Sequence, residues 1–164
     1  MYKRQNSKCV EAILVSLGIE NISFDQIYNL SKDVVVPSRT EQSYNSKGVL
    51  IIDDTYNANP DSFKEAFRVL DSTDKENKIC VIGDMKELGT DFQQEMKKII
   101  DEACERFDYV FLFNSKFELS KENVVKINIA NAEEKIGSLL SKNTAILFKA
   151  SRSVKIEDCM NIFK

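Results

Sequence analysis

The sequence contains no histidine, and this absence narrows the chemistry that the chain could perform. Histidine is the usual base that activates serine and cysteine nucleophiles, and it is a common zinc ligand. Acid–base or metal chemistry would therefore have to use carboxylates, lysine or tyrosine. The four cysteines are too far apart in sequence for a metal motif or a redox pair, which favours a reducing cytoplasm: Cys9, Cys80, Cys104 and Cys159. Cys80 and Cys104 lie in apolar runs and are interpreted as core residues.

Glycine is also scarce, with five residues, and neither common type of glycine-rich phosphate loop is present. No apolar stretch approaches the roughly 20 residues that a transmembrane helix requires, so we predict no membrane insertion. The formal net charge is −3 and the lysines are interspersed with acids, which argues against a nucleic-acid partner. Hydrophobic residues make up 43% of the 164 positions, enough for one globular domain with a short appendage.

The amino-terminal part of the chain shows helical periodicity but no strand pattern. Residues 6–17 place apolar side chains at helical spacing, and a second helix is capped by Ser23 or Asp25. Two short helices can bury little surface alone, so we expect them to dock onto another domain and to leave apolar side chains exposed here. Residues 1–5 fit no periodic element, and we interpret them as foreign to the native reading frame, which would make the chain a fragment.

From residue 37 onward, apolar runs alternate with helical patterns. Strands are predicted at 49–52, 78–82, 109–113 and 145–148, with a short extended segment at 124–127. Helices are predicted after Pro60, around 90–106, over 132–142 and over 156–163. This alternation is typical of βαβ units and predicts an α/β, Rossmann-like fold with a mostly parallel sheet flanked by helices. We therefore divide the chain into a helical part, residues 1–36, and an α/β domain, residues 37–164.

Polar segments follow three of the predicted strands, at the sheet edge where ligands gather in this fold class. We call residues 53–60 the first polar segment, 83–89 the second and 149–152 the third. In the first, two adjacent aspartates must point in opposite directions, so one of them can face a cleft and accept from ribose hydroxyls. Asparagine amides match an adenine edge, and Tyr56 could stack on a base. The alternative is that these residues are turn formers and helix caps.

The first polar segment and the two residues after it read Asp-Asp-Thr-Tyr-Asn-Ala-Asn-Pro-Asp-Ser, which closely resembles a hallmark of the Mur ligases. Residues 37–41 are similar to the Gly-Arg-x-Glu that opens the last domain of that family, with Ser38 in place of the glycine. The second polar segment resembles Gly-Asp-Met-x-Glu-Leu-Gly, and the third resembles Lys-Gly-Ser-Arg, with Ala150 replacing the glycine. Residues 6–30 resemble the end of the central, ATPase domain. The resemblance therefore covers nearly the whole chain in order.

The resemblance implies part of a three-domain, ATP-dependent amide ligase, of the branch that joins D-alanyl-D-alanine to UDP-N-acetylmuramoyl-tripeptide in the bacterial cytoplasm. ATP activates a carboxylate as an acyl phosphate, an amine attacks it, and Mg²⁺ neutralises the developing charge. The phosphate loop and metal ligands belong to the central domain, most of which this sequence lacks. We therefore expect no catalytic or metal-binding residue in this chain, an inactive fragment, and a monomer when the enzyme is complete.

The resemblance also assigns roles to individual residues. Arg39 would meet the phosphates from the hinge between domains, and Asp54 would hold the ribose. Tyr56, Asn57 and Asn59 would line the adenine end. A further set would face the acceptor dipeptide or stabilise the loops around it: Asp84, Glu87, Lys149, Ser151 and Arg152. For Asp84 and Glu87 a purely structural role is an equal alternative.

Besides Ser38, the sequence departs from the family pattern at two positions in this domain. Met96 stands where the family has a histidine, and Ala150 requires ordinary backbone angles, or strain, where glycine would be free. Two other functions remain open. The chain could be a stand-alone nucleotide-binding or regulatory module that kept the fold without catalysis. It could also belong to another branch, such as a polyglutamate-adding enzyme. The Tyr-Asn-Ala-Asn-Pro string argues against that branch.

Overall fold

A computed structural model of the chain describes residues 2–19, 22–32, 39–86, 88–118, 121 and 123–164. The chain divides into two compact units, Met1–Val36 and Pro37–Lys164. None of the helices in the described ranges is long and apolar enough to cross a bilayer.

In the first unit, the described residues form two helices, α1 (Tyr2–Ser16) and α2 (Phe24–Lys32). The prediction that residues 1–5 fit no element is wrong for Tyr2 to Gln5, which form the first turn of α1. Lysine, arginine and glutamine are good helix formers, but they contribute nothing to an apolar pattern, so periodicity missed them. Of the two candidate caps, Ser23 is the one that starts α2. Its hydroxyl accepts from the Gln26 amide at 3.3 Å, and the Gln26 side chain accepts from the Ser23 amide at 2.8 Å.

Several apolar side chains of this first unit are exposed, as expected from its small size. Ile13 is 58% exposed, Leu17 68% and Leu30 70%. In a helix of a folded protein, side chains of this kind usually face a core.

The second unit is built around a six-stranded sheet in the order β1-β2-β6-β3-β4-β5. Its strands are β1 (Glu41–Tyr44), β2 (Leu50–Asp53), β3 (Asn77–Ile82), β4 (Tyr109–Phe113), β5 (Val124–Ile127) and β6 (Thr144–Lys149). Every neighbouring pair is parallel except β1 and β2, which form an antiparallel hairpin. The predicted α/β fold with a mostly parallel sheet is therefore confirmed. Strand β1 is exposed along its whole length and carries no apolar run, so the sequence shows only a weak alternation there.

Four helices flank the sheet: α3 (Pro60–Asp71), α4 (Phe92–Arg106), α5 (Ala132–Ile136) and α6 (Ile156–Asn161). Helix α5 is shorter than the predicted 132–142 because Gly137 opens a turn of 3₁₀ helix. Helices α3 and α4 cover one face of the sheet with one apolar core, and α5 and α6 cover the other face with a second core. Met96, at the position where the family has a histidine, is fully buried in the first core. Its side chain packs against the other core residues there.

Candidate nucleotide-binding site

The strand order brings the three polar segments to one edge of the sheet. Strand β6 lies between β2 and β3, and all three run parallel. The register pairs Asp53 with Phe148 and Ile82 with Lys149, so the chain leaves the three strands at nearly the same level. The convergence that the sequence predicted for these segments is therefore present in the fold.

Asp54 and Lys149 form a buried ion pair at the centre of this edge. Asp54 is 7% exposed and Lys149 is 1% exposed. The Lys149 ammonium donates to Oδ2 of Asp54 and, at 3.0 Å, to the main-chain carbonyl of Asn57. The backbone N–H of Thr40 donates to Oδ1 of Asp54 at 3.1 Å. Burial lowers the pKa of Lys149, and the Asp54 carboxylate opposes that shift.

The neighbouring Asp53 has a different set of partners. Its Oδ1 accepts from the Thr55 hydroxyl at 2.8 Å and from the Thr55 amide at 3.2 Å. The Lys164 ammonium lies 3.6 Å from its Oδ2. Separate partners are what the alternating direction of adjacent strand residues predicts. Asp53 stabilises its own turn, and Asp54 joins the first polar segment to the third and to Thr40.

Two arginines flank Tyr56 at the solvent side of the same edge. The guanidinium carbon of Arg39 lies 4.5 Å from the centre of the Tyr56 ring, and that of Arg152 lies 5.6 Å from it. The ring is 40% exposed. Among the ion pairs of the described residues none involves either guanidinium. Guanidinium groups at this edge are suited to binding an anion. The structure thus brings together residues that the sequence assigned separately to the phosphates, the adenine and the acceptor.

The two asparagines of the first polar segment differ in what holds them. The Asn59 side chain accepts from the Ser62 amide at 2.8 Å, and the Ser62 hydroxyl accepts from the Asn59 amide at 3.0 Å, which is a capping box at the start of α3. Asn57 is half-buried, and its carbonyl is the acceptor for Lys149. The helix-cap alternative therefore applies to Asn59, while the side-chain amide of Asn57 is the better candidate for an adenine edge.

Asp84 braces the second polar segment. It is 1% exposed, and its Oδ1 accepts from the Ser115 hydroxyl at 2.5 Å. Its Oδ2 accepts from the Lys116 amide at 3.2 Å and lies 3.4 Å from the Lys86 ammonium. These contacts agree with the structural alternative for Asp84. Glu87, which the sequence paired with it, lies outside the described residues.

Ser151 ties the third polar segment to the second. Its amide donates to the Asp84 carbonyl at 3.1 Å, and its hydroxyl accepts from the Lys86 amide at 2.9 Å. Ala150, between Lys149 and Ser151, is not among the described non-glycine residues with positive φ, so it occupies this position with ordinary backbone angles. The structure therefore supports ordinary backbone angles at Ala150, and it does not support strain there.

A fourth polar segment, residues 114–116, was missed by the sequence analysis. It follows β4 at the same edge and contributes Lys116 to a cleft of about 240 Å³ that the second polar segment also lines. The half-buried Phe92 supplies apolar surface there, and Lys86 supplies a second ammonium, while Met85 lies fully buried behind the cleft. The signal was available, because Asn-Ser-Lys directly follows the apolar run 109–113. Asn114 has φ 47°, a left-handed conformation that asparagine tolerates better than most residues.

The remaining candidates for metal or thiol chemistry lie apart from one another. In the part of the chain that the structure describes, no three His, Cys, Asp or Glu side chains form a group that could hold a metal ion. Cys80 is buried in the core as predicted, whereas Cys104 is only half-buried beside it. Burial raises the pKa of the Cys159 thiol to about 12.

Several known proteins with similar sequences carry the same ligase name. The UDP-N-acetylmuramoyl-tripeptide–D-alanyl-D-alanine ligase of Bacillus subtilis (strain 168) is 32% identical over 148 residues, which is 82% of this chain and 32% of that protein. The ligase of the same name from Rickettsia prowazekii (strain Madrid E) is 28% identical over 140 residues, 80% of this chain and 31% of that protein. The chain thus spans about a third of the length of the relatives that it matches.

Solved structures with the same fold include MurF ligase from Thermotoga maritima in complex with ADP. Its TM-score is 0.71 at 31% identity, over 93% of this chain and 35% of that one. MurF from Acinetobacter baumannii has a TM-score of 0.76 at 26% identity, over 97% and 37% of the two chains. The folylpolyglutamate synthase of Mycobacterium tuberculosis shares the fold alone, with a TM-score of 0.57 at 16% identity over 87% of this chain and 36% of that one.

The family comparison covers most of the second unit. Residues 38–159 match the family described as Mur ligase, glutamate ligase domain. That range includes all four polar segments at the sheet edge. This chain belongs to that Mur ligase family.

Proposed function

We propose that this chain is the carboxyl-terminal part of an ATP-dependent amide ligase that adds D-alanyl-D-alanine to UDP-N-acetylmuramoyl-tripeptide in peptidoglycan precursor synthesis. The proposal places the complete enzyme in the bacterial cytoplasm, as a monomer, and makes this part inactive alone. The relatives carry that name, and one of the similar structures contains ADP. The observation that carries the proposal is the cluster of Arg39, Tyr56 and Arg152 beside the Asp54 carboxylate.

The nucleotide end of this site has the donors and acceptors that ADP or ATP requires. A carboxylate has about four lone-pair positions, and the contacts with Thr40 and Lys149 occupy two of those on Asp54. The other two can accept from ribose hydroxyls. The Asn57 amide can pair with the adenine edge, and the two guanidiniums of Arg39 and Arg152 can bind phosphate oxygens bidentately.

In a ligase of this class, ATP phosphorylates a substrate carboxylate and the acyl phosphate is then attacked by the acceptor amine. The described residues of this chain bind and orient the substrates for these reaction steps. They do not include the phosphate loop. We propose Mg²⁺ as a cofactor of the complete enzyme only. The described residues of this chain contain no group of metal-ligating side chains that could hold it. The contribution of this domain is therefore to hold ATP and the acceptor at one sheet edge.

The cleft beside the second and fourth polar segments is the best candidate for the acceptor dipeptide. Lys86 and Lys116 place two ammonium groups at its border, which suits the dipeptide carboxylate, and the Phe92 ring suits its methyl groups. Asp84 and Ser151 already bond to the chain itself, so they shape this cleft. Arg152 lies at Tyr56 and is assigned to the nucleotide phosphates.

A stand-alone nucleotide-binding module is the second candidate. All the nucleotide-side groups belong to one compact unit, residues 37–164, so binding does not require another domain to complete their arrangement. This candidate predicts ADP binding by the chain and no ligase activity in any context.

A chimeric ligase separates these two candidates. The part of the Bacillus subtilis relative that precedes its match to this chain is joined to this chain. Formation of UDP-N-acetylmuramoyl-pentapeptide and phosphate is followed by mass spectrometry and phosphate release. We expect product that depends on both ATP and D-alanyl-D-alanine. The matched control carries Asp54→Asn in the same chimera and should be strongly impaired. A folded chimera that binds ATP but forms no product, beside an active native relative, would contradict the ligase function.

A further inference from the structure

Lys149 lies on the nucleotide side of the sheet edge and faces away from solvent. It is 1% exposed, and its stem runs from the central strand β6 toward the end of β2. Both oxygens that its ammonium contacts belong to the first polar segment, namely Oδ2 of Asp54 and the carbonyl of Asn57. The ring centre of Phe63, in the first turn of α3, lies 5.5 Å from the same ammonium.

We propose that Lys149 is a positioning residue for the nucleotide, which fixes the Asp54 carboxylate and the Asn57 backbone before ATP binds. The inference rests on the proposed function, because it takes Asp54 as the group that holds the ribose. It replaces the acceptor-binding role that the sequence suggested for Lys149, since a side chain with no exposed ammonium cannot contact a dipeptide without leaving both partners.

The effect of Lys149 extends through Asp54 to the segment that carries Arg39. The other oxygen of Asp54 accepts from the Thr40 amide, and Thr40 has φ 51°. A β-branched residue in this left-handed region is strained, and it persists only where its surroundings hold it. Lys149, Asp54 and Thr40 therefore form one continuous chain of contacts that ends beside the Arg39 guanidinium.

The chemistry explains why a lysine suits this position. Asp54 is nearly buried, and a buried carboxylate without a cation would carry a large desolvation cost. An ammonium offers three donors, so it can neutralise Asp54 and also bond to the Asn57 carbonyl. A neutral side chain of similar length, such as methionine, would fill the volume and make neither contact.

A double-mutant cycle on ADP affinity tests this inference with the chain as it stands. The variants are Lys149→Met, Asp54→Asn and the two combined, with Lys126→Met, at an exposed position of β5, as the matched control. ADP binding is measured by calorimetry up to millimolar concentration, and the Thr40 amide is followed by NMR. The double variant removes both buried charges, so it keeps the test valid if Lys149→Met alone unfolds the domain.

We expect Lys149→Met to weaken ADP binding by about tenfold or more and to shift the Thr40 resonance, while Lys126→Met does neither. The loss of affinity in the double variant should be clearly smaller than the sum of the two single losses, because Lys149 acts partly through Asp54 and partly through the Asn57 carbonyl. Effects that add, or unchanged affinity in Lys149→Met, would overturn the inference while leaving nucleotide binding intact. Absence of ADP binding by the unsubstituted chain would instead contradict the proposed function, and this inference with it.

Discussion

Gly83 and Ala150 lie so close together that a Cβ atom added to Gly83 would be 2.6 Å from the Cβ of Ala150 and 2.9 Å from a methyl of Val154. Gly83 ends the run of β3, and its amide donates to the Lys149 carbonyl at 2.9 Å. The second and third polar segments are therefore packed backbone to backbone. The close approach therefore requires the glycine directly after β3, whereas the residue opposite it, directly after β6, is an alanine.

Replacing Gly83 by alanine should therefore destabilise the domain. Overpacking of a filled site typically costs about 1–3 kcal/mol, and here a methyl and a strand end would both have to move. The free energy of unfolding in urea measures the effect. Gly137→Ala is the matched control, because Gly137 has helical angles and only one atom, 3.9 Å away, near its added Cβ. Gly137→Ala should leave the free energy of unfolding unchanged or raise it slightly. Equal stability of the two variants would refute the close packing.

Asn59 permits a test that separates helix capping from adenine binding. Asn59→Ala should lower the free energy of unfolding by about 1 kcal/mol, because it removes the acceptor for the Ser62 amide. Asn59→Asp keeps that acceptor and so should keep stability, but it removes the amide donors. If capping is the whole role of Asn59, the aspartate variant binds ADP like the unsubstituted chain. A large loss of ADP affinity in a stable Asn59→Asp variant would assign the side chain to the adenine.

We predict that the stability and the ADP affinity of the domain both change with pH as Lys149 titrates. Burial lowers the pKa of Lys149 from its ordinary value of 10.5, and the charges that face it are Asp54 and Arg39. Cys80, which also faces it, stays protonated because burial raises the pKa of its thiol. As the pH rises toward 10.5, Lys149 in the folded chain releases its proton while the unfolded chain still holds it.

Two consequences follow, with opposite signs. Because the unfolded chain binds more protons in this window, the contribution of Lys149 to stability rises with pH and is lost again as the pH falls through the lowered pKa. ADP affinity should fall over the same window, because the neutral amine no longer holds the Asp54 carboxylate. Both quantities are compared with those of Lys149→Met, which should lack these pH dependences. The same alkaline profile in both proteins would argue against titration of Lys149.

The exposed apolar side chains of α1 and its flank predict self-association of this chain. Ile13 is 58% exposed and Leu17 is 68% exposed, so each offers apolar surface to a second molecule. Ile13→Glu should reduce the association measured by sedimentation, and deletion of residues 1–32 should reduce it further. A monodisperse monomer with a high melting temperature that this deletion leaves unchanged would show that the expectation is wrong.

The sequence predicted the architecture well because the central strands are continuous apolar runs. Polar residues lie at or directly after the carboxyl ends of β2, β3, β4 and β6, and this pattern located three of the four segments at the sheet edge. It could not locate β1, whose residues are all exposed, or the first turn of α1, whose residues are polar. Periodicity carries no signal where neither face of an element is buried.

The partners of individual side chains were harder to predict than their location. Nothing in the sequence distinguishes a lysine at a strand end that faces solvent from one that is buried against Asp54. For Asn59 and Asp84 the sequence left a ligand contact and a structural role open, and in the structure they hold a helix start and a loop. Such distinctions depend on which strands become neighbours, and the sheet order sets that.

The most direct test of the account is a titration of the isotope-labelled chain with ADP, followed residue by residue by NMR. The account predicts that resonances of Arg39, residues 54–57 and Arg152 shift together, with one dissociation constant. A second cleft, lined by residues including Asn45, Glu133 and Lys164, should remain unchanged. No shift at millimolar ADP, or shifts confined to that second cleft, would contradict the assignment of the nucleotide site.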